Sequence, residues 1–109
     1  MDDVYTALKT AIKGEVSKDM DTRVAVSRDA SIYELVPDLV VAPKDSADLK
    51  TLVRYVSTQK HSHPSLAITP RSAGTCMSGG PLGASIVLNM TTHFNTIGAV
   101  KGTQLTVQP

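Results

Sequence analysis

Between Pro70 and Gly83 the chain reads Pro70-Arg71-Ser72-Ala73-Gly74-Thr75-Cys76-Met77-Ser78-Gly79-Gly80-Pro81-Leu82-Gly83, a stretch whose chemistry would be done by the backbone. From Ser72 onward, four glycines, one alanine, three hydroxyl residues and one thiol leave the main-chain amides unshielded. Successive N–H groups in tight turns form concavities that take phosphate oxygens. A phosphorylated ligand would rest its phosphates on this turn.

Three familiar phosphate and nucleophile motifs can be tested against these residues. The nucleotide P-loop needs Gly-Lys followed by Ser or Thr, and no lysine lies between Lys60 and Lys101. The dinucleotide fingerprint needs a glycine turn that opens a helix, whereas Gly83 leads into the β-rich run Ser85-Ile86-Val87-Leu88-Asn89-Met90. A hydrolase elbow would want glycine two residues before Ser78, and that residue is Cys76. What remains is a loop between strands that binds through its backbone, or a wide glycine-rich surface connection without a ligand. Loops of this length are usually functional or disordered.

The elements around the turn follow from periodicity. Val4, Leu8, Ala11 and Ile12 fall at helical spacing, with Asp2 and Asp3 at the start and Gly14 placed to end the helix. From Glu15 to Asp38 no period is sustained, which predicts an irregular segment with room for one helical turn. Leu39-Val40-Val41-Ala42, bracketed by Pro37 and Pro43, reads as a short strand buried on both faces. Asp45 then caps a helix whose stripe is Leu49, Leu52, Val53 and Val56, and Leu66 to Thr69 gives a second strand. Strand, helix and strand make a βαβ unit with parallel strands, and the glycine turn leaves the carboxyl end of the second. Ser85 to Met90 and Leu105 to Val107 read as a third and a fourth strand. The expected fold class is α+β: a small sheet of about four strands containing the βαβ unit, with two main helices.

The 109 residues carry a formal net charge of +1, and their Lys and Arg are spread along the whole length. One small domain or part of a larger one fits that length. No basic face argues for nucleic acid, so a small-molecule partner is favoured. One cysteine excludes an internal disulfide and favours a reducing compartment. The acidic start lacks the features of an export signal, and no apolar run approaches the roughly 20 residues of a transmembrane helix. A cytoplasmic location is expected, with a membrane-associated parent left open.

Other chemistry-bearing residues have bland readings. His61 and His63 lack the acid or thiol partners of a metal site and read as a solvated loop. Asp19, Asp21, Arg23, Arg28 and Asp29 read as a solvated or ion-paired run, because nothing fixes the spacing of the acids. Cys76 reads as a small packing residue, with a reactive thiol as the alternative. Tyr33 is open between a core or interface position and an approach to ligand.

In order and spacing, Pro37-Asp38-Leu39-Val40-Val41-Ala42-Pro43, Asp48-Leu49, Pro70-Arg71-Ser72-Ala73-Gly74-Thr75 and Ser78-Gly79-Gly80 form a set. This set resembles the amino-terminal half of the FAD-binding domain of vanillyl-alcohol oxidase and p-cresol methylhydroxylase (PCMH) type flavoenzymes, the FAD-linked oxidases. Upstream, Gly14-Glu15-Val16, Arg23 and Ser27-Arg28-Asp29-Ala30-Ser31-Ile32-Tyr33 resemble the glycolate oxidase and D-lactate dehydrogenase branch. The resemblance runs from about Gly14 to Pro109.

The resemblance implies that the loop wraps the FAD pyrophosphate with amides and hydroxyls of Ser72, Ala73, Gly74, Thr75, Cys76, Ser78, Gly79 and Gly80. It places Pro43 close to the cofactor and gives Arg71 a supporting role, with a direct phosphate contact left open. Some members carry, at the position of Thr75, a histidine bonded to the flavin ring. Thr75 lacks that nitrogen, so FAD is expected to be non-covalent, with a thioether at Cys76 as the alternative. Relatives often have aspartate at the position of Asn89. A second half of the FAD domain and a substrate domain with the catalytic residues would follow Pro109, so no catalytic residue is expected in this chain.

The expected organisation is therefore a partial FAD-binding domain over 1–109. Residues 1–38 are its amino-terminal helix and lead-in, and 39–109 are the βαβ-containing subdomain. The parent is expected to pass a hydride from a small 2-hydroxy acid, such as glycolate or D-lactate, to the flavin, with an electron-transfer partner left open. The alternative is a free-standing α+β anion-binding, nucleotide-binding or interaction module without catalysis.

Overall fold

Pro37 and Pro43 bracket the run Leu39–Ala42, which is buried at every residue, and the rest of the fold is built outward from it. The computed structural model describes all residues from Met1 to Pro109. In chain order its elements are α1 (Asp2–Ala11), β1 (Glu15–Ser17), α2 (Met20–Ala25), β2 (Leu39–Ala42), α3 (Ser46–Gln59), β3 (Ile68–Arg71), β4 (Ile86–Asn89), β5 (Ile97–Lys101) and β6 (Gln104–Val107). The first four strands form one sheet in the order β1-β2-β4-β3, and β5 and β6 form a separate antiparallel hairpin.

Strands β2 and β3 both run parallel to β4, with Val40 opposite Val87 and Thr69 opposite Val87. The βαβ unit is thus present with β4 inserted between its strands. Side chains alternate across the sheet. Leu39, Val41, Ile86 and Leu88 share a core with Val4, Leu8 and Ile12 of the α1 region, Leu52 and Val56 of α3, and Leu66. Full burial of each such side chain stabilises by about 1.5–3 kcal/mol. Val40 and Val87 face the other way and meet Val26 at the end of α2.

Asp45 caps α3 as expected, accepting the Asp48 amide at 3.1 Å. Asp48 is itself buried and accepts amides from Lys13, Gly14 and Lys44 at 2.8–2.9 Å, so one carboxylate ties the exits of α1 and β2 to the first turn of α3. Gly14 is required there, because a Cβ would overlap the Ala42 carbonyl oxygen and lie 2.9 Å from the Lys44 nitrogen.

Four expectations need adjustment. The segment after Glu15 is more ordered than its lack of period suggests: β1 pairs antiparallel with β2, and α2 is capped by Asp19. The fourth strand of the sheet is β1, and the run around Leu105 belongs to the separate hairpin. The second strand of the βαβ unit is displaced to Ile68–Arg71, because pairing with β4 carries it through Pro70. Proline is tolerated there because β3 is an edge strand. Val53 is 56% exposed; the inner face of α3 is Asp48, Leu52 and Val56, with Leu49 and Tyr55 packed beside them.

Candidate functional site

The chain leaves β3 at Arg71 and returns to the start of β4, with no helix between them, by a loop over residues 72–85. Parallel neighbours force this loop to travel back along the sheet. It passes so close to β3 that a Cβ at Gly83 would lie 2.9 Å from Cβ of Thr69. Thr69 alternates with the core-facing Ile68, so the loop lies on the side of the sheet that also carries Val26 and the lead-in segment.

Pro70, Ser72, Ala73, Gly74, Thr75, Cys76, Gly80 and Pro81 line a concavity of about 340 Å³. None of the amides from Ser72 to Met77 donates a hydrogen bond to an acceptor within the chain. Unpaired amides presented by small residues in one concavity are donors for an anion. Two positive φ values shape the loop, 72° at Gly74 and 80° at Gly79, a region that favours glycine.

Arg71 is the last residue of β3, and its side chain lies under the loop. Its Nη1 donates to the Val26 carbonyl at 3.3 Å, and its guanidinium packs against Gly74. Gly79 and Ser78 line an adjacent hollow with Tyr33, Glu34, Leu35 and Leu82. The Gly79 amide is engaged within the fold, donating to Asp29 at 2.9 Å. Pro43 is buried at the end of β2, outside the residues that line the concavity. Of the expected site residues, Ser72 to Cys76 and Gly80 lie together along this concavity, and Pro70 and Pro81 line it with them.

Asp29, expected in a solvated or ion-paired run, instead binds its carboxylate across to the loop. Asp29 accepts Ser31 and Gly79 amides through its two oxygens. The Ser31 hydroxyl, then these amides, hold its carboxyl below the usual range. Beside it the Ala30 amide donates to the Cys76 carbonyl at 3.0 Å. The only local cue was an aspartate two residues before a serine, the pattern of an Asx turn.

Cys76 Sγ lies 3.2 Å from Ser78 Oγ, and its thiol is lowered by that hydroxyl first and then by the amides of Ser78 and Gly80. His63 pairs with Asp3 at 3.1 Å and His93 with Glu15 at 2.7 Å, so each ties two parts of the chain together. No group of three or more His, Cys, Asp or Glu side chains could hold a metal ion. No helix is long and apolar enough to cross a membrane.

Comparisons with known proteins bear on what fills the concavity. D-2-hydroxyglutarate dehydrogenase of Escherichia coli (strain K12) is 37% identical over 84 residues, covering 77% of this chain and 8% of that protein. The enzyme of the same name from Pantoea ananatis (strain AJ13355) is 35% identical over 98 residues, 86% of this chain and 9% of its own length. The chain therefore spans less than a tenth of the length of these curated relatives. A solved structure described as Physcomitrella patens BBE-like 1 wild-type superposes with a TM-score of 0.65 at 16% identity, over 87% of this chain and 20% of that one, which shows a shared fold. A family described as "FAD binding domain" matches residues 37–109, from the proline before β2 through the whole glycine loop to the last residue. With this match spanning the sheet and the unpaired amides alike, the chain belongs to the FAD binding domain family.

Proposed function

We propose that this chain is the amino-terminal part of the FAD site of a flavin-dependent dehydrogenase acting on a 2-hydroxy acid, with the 72–80 loop holding the pyrophosphate. The observation that carries the reading is the run of unpaired amides from Ser72 to Cys76 in a concavity lined by small residues. Two phosphate groups need several donors and close backbone approach, and this loop offers both. The concavity of about 340 Å³ suits the pyrophosphate and not the whole cofactor, so further chain would complete the site.

Bound FAD would supply the hydride acceptor for oxidising the alcohol to a 2-oxo acid. This chain's own residues bind and orient. Ser72 to Cys76 and Gly80 present amides and hydroxyls, Arg71 supports the loop from below, and Gly79 turns its end back toward the lead-in. Thr75 offers no nucleophilic nitrogen to the flavin ring, so no covalent bond to the flavin forms at that position. The alcohol's two electrons must leave the protein, which makes an electron-transfer partner part of this reading. The substrate named for the relatives, D-2-hydroxyglutarate, is the leading candidate, ahead of glycolate and D-lactate. The lone cysteine favours a cytoplasmic protein.

The test is the flavin spectrum of the full-length protein and its bleaching by D-2-hydroxyglutarate, D-lactate or glycolate under anaerobic conditions. Stoichiometric FAD bleached by one of these acids is expected. Bound FAD that none of them reduces would overturn the substrate class, and a colourless protein that takes up no FAD would overturn the whole reading.

A further inference from the structure

The amides from Ser72 to Met77 lack partners inside the chain, so no backbone hydrogen bond donated from that run fixes where they point. What fixes the loop is a short piece of the lead-in. At the start of the loop the Val26 carbonyl holds the Arg71 guanidinium beneath Gly74. In the middle the Ala30 amide holds the Cys76 carbonyl, and at the far end the Asp29 carboxylate holds the Gly79 amide. The last tie is the charged one, and charge-assisted hydrogen bonds are about twice as strong as neutral ones. It acts on a residue already in the left-handed region, where the chain direction of the loop is decided.

We propose that Asp29 is a positioning residue of the anion cradle, holding Gly79 so that the Ser72 to Cys76 amides are aimed before the ligand arrives. This rests on the reading of the loop as a pyrophosphate cradle. Asp29 is not itself a ligand contact: its two oxygens are taken by the Ser31 and Gly79 amides, and a carboxylate would repel phosphate. Its contribution is preorganisation, which raises affinity by lowering the ordering cost of binding. Glu34, on the same segment, pairs with Arg28 and makes no hydrogen bond to the loop, so it serves as the charge control.

The experiment compares the full-length protein with its Asp29→Ala, Asp29→Asn and Glu34→Gln variants by two readouts. The first is the FAD dissociation constant. Asp29→Ala is expected to weaken it about tenfold, near the worth of one such bond. Asp29→Asn, which keeps one acceptor, is expected to fall between, and Glu34→Gln to match the parent.

The second readout is limited trypsin cleavage of the FAD-free protein at the Arg71–Ser72 bond. Cleavage should quicken in Asp29→Ala while cleavage after Lys50 in α3 stays unchanged, which separates a loosened loop from a loosened fold. Parental affinity and parental cleavage in a folded Asp29→Ala would overturn the proposal, as would an equal loss in Glu34→Gln. If Asp29→Ala does not fold, Asp29→Asn is judged by the same two outcomes. If the parent takes up no FAD, the functional reading fails, and the cleavage readout still decides whether Asp29 positions the loop.

Discussion

Gly74 lies directly against the guanidinium of Arg71: a Cβ built on Gly74 would fall 2.6 Å from Cζ, and closer still to Nη2. The loop can pass over that guanidinium because residue 74 has no side chain and adopts a φ of 72°. Gly74→Val adds left-handed strain of about 1–2 kcal/mol and also displaces Arg71 from the Val26 carbonyl. The core lies elsewhere, so the sheet should persist. The expected outcome is a loss of FAD affinity of at least about tenfold, or 1.4 kcal/mol, with an unchanged far-UV circular dichroism spectrum. Arg71→Ala should relieve the steric part of a Gly74→Ala defect and leave the strain, giving a coupling of about 1 kcal/mol in a double-mutant cycle. Parental flavin content in Gly74→Val would remove the loop from the site.

Asp48 predicts a pH dependence. It is 3% exposed; burial pushes its carboxyl up, and the amides of Lys13, Lys44 and Gly14 pull it down further, leaving it below its ordinary 3.8. A carboxylate depressed in the folded state contributes stability that is present above its unfolded value and lost as pH falls through its folded value. Asp48→Asn places an NH₂ against one of these amide donors and should cost roughly 3 kcal/mol at neutral pH. Urea unfolding should also show a shallower loss of stability below about pH 4 in the variant than in the parent. Parallel pH curves for the two proteins would mean that Asp48 is not the lock.

Much of this was legible from local signals. Leu39–Ala42 announces a buried strand, Asp45 and Asp48 announce the start of α3, and the glycine run announces an amide-lined loop. Structure determined by distant partners was not legible. Three-residue β1 buries only Val16 and exists by pairing with β2, so it has no period to detect. α2 buries none of its residues. β3 gains Pro70 and Arg71 only through its register with Leu88 and Asn89. Asp29 lies 50 residues from Gly79, and nothing near it in sequence marks the contact.

The β5–β6 hairpin should be the least protected part of the sheet structure. All its residues are exposed, with Ile97 at 74% and Val100 at 72%, whereas β2 is buried throughout. Local opening costs little where few apolar contacts must break. Hydrogen exchange read by mass spectrometry should therefore label 97–107 well before Leu39–Ala42 and Ile86–Asn89. Replacing Ile97 and Val100 with threonine should change global stability of this chain by no more than about 0.5 kcal/mol. Slow exchange in the hairpin of this chain would mean that it packs on something.

Cys76 offers a direct chemical report on the loop. The Ser78 hydroxyl, then the amides of Ser78 and Gly80, hold its thiol below the ordinary 9.0, so more thiolate is present at neutral pH than for a free cysteine. Because the thiolate is the nucleophile, alkylation by iodoacetamide should have its pH midpoint below that of free cysteine. Ser78→Ala removes the first of these donors and should move the midpoint upward toward the free value. Cys76 also lines the concavity, so bound FAD or inorganic pyrophosphate should slow its alkylation in proportion to occupancy. Mass spectrometry of the peptide containing Cys76 isolates this site from any other thiol of the full-length protein. An alkylation rate unaffected by saturating FAD would place the cofactor elsewhere than against the Ser72 to Cys76 wall.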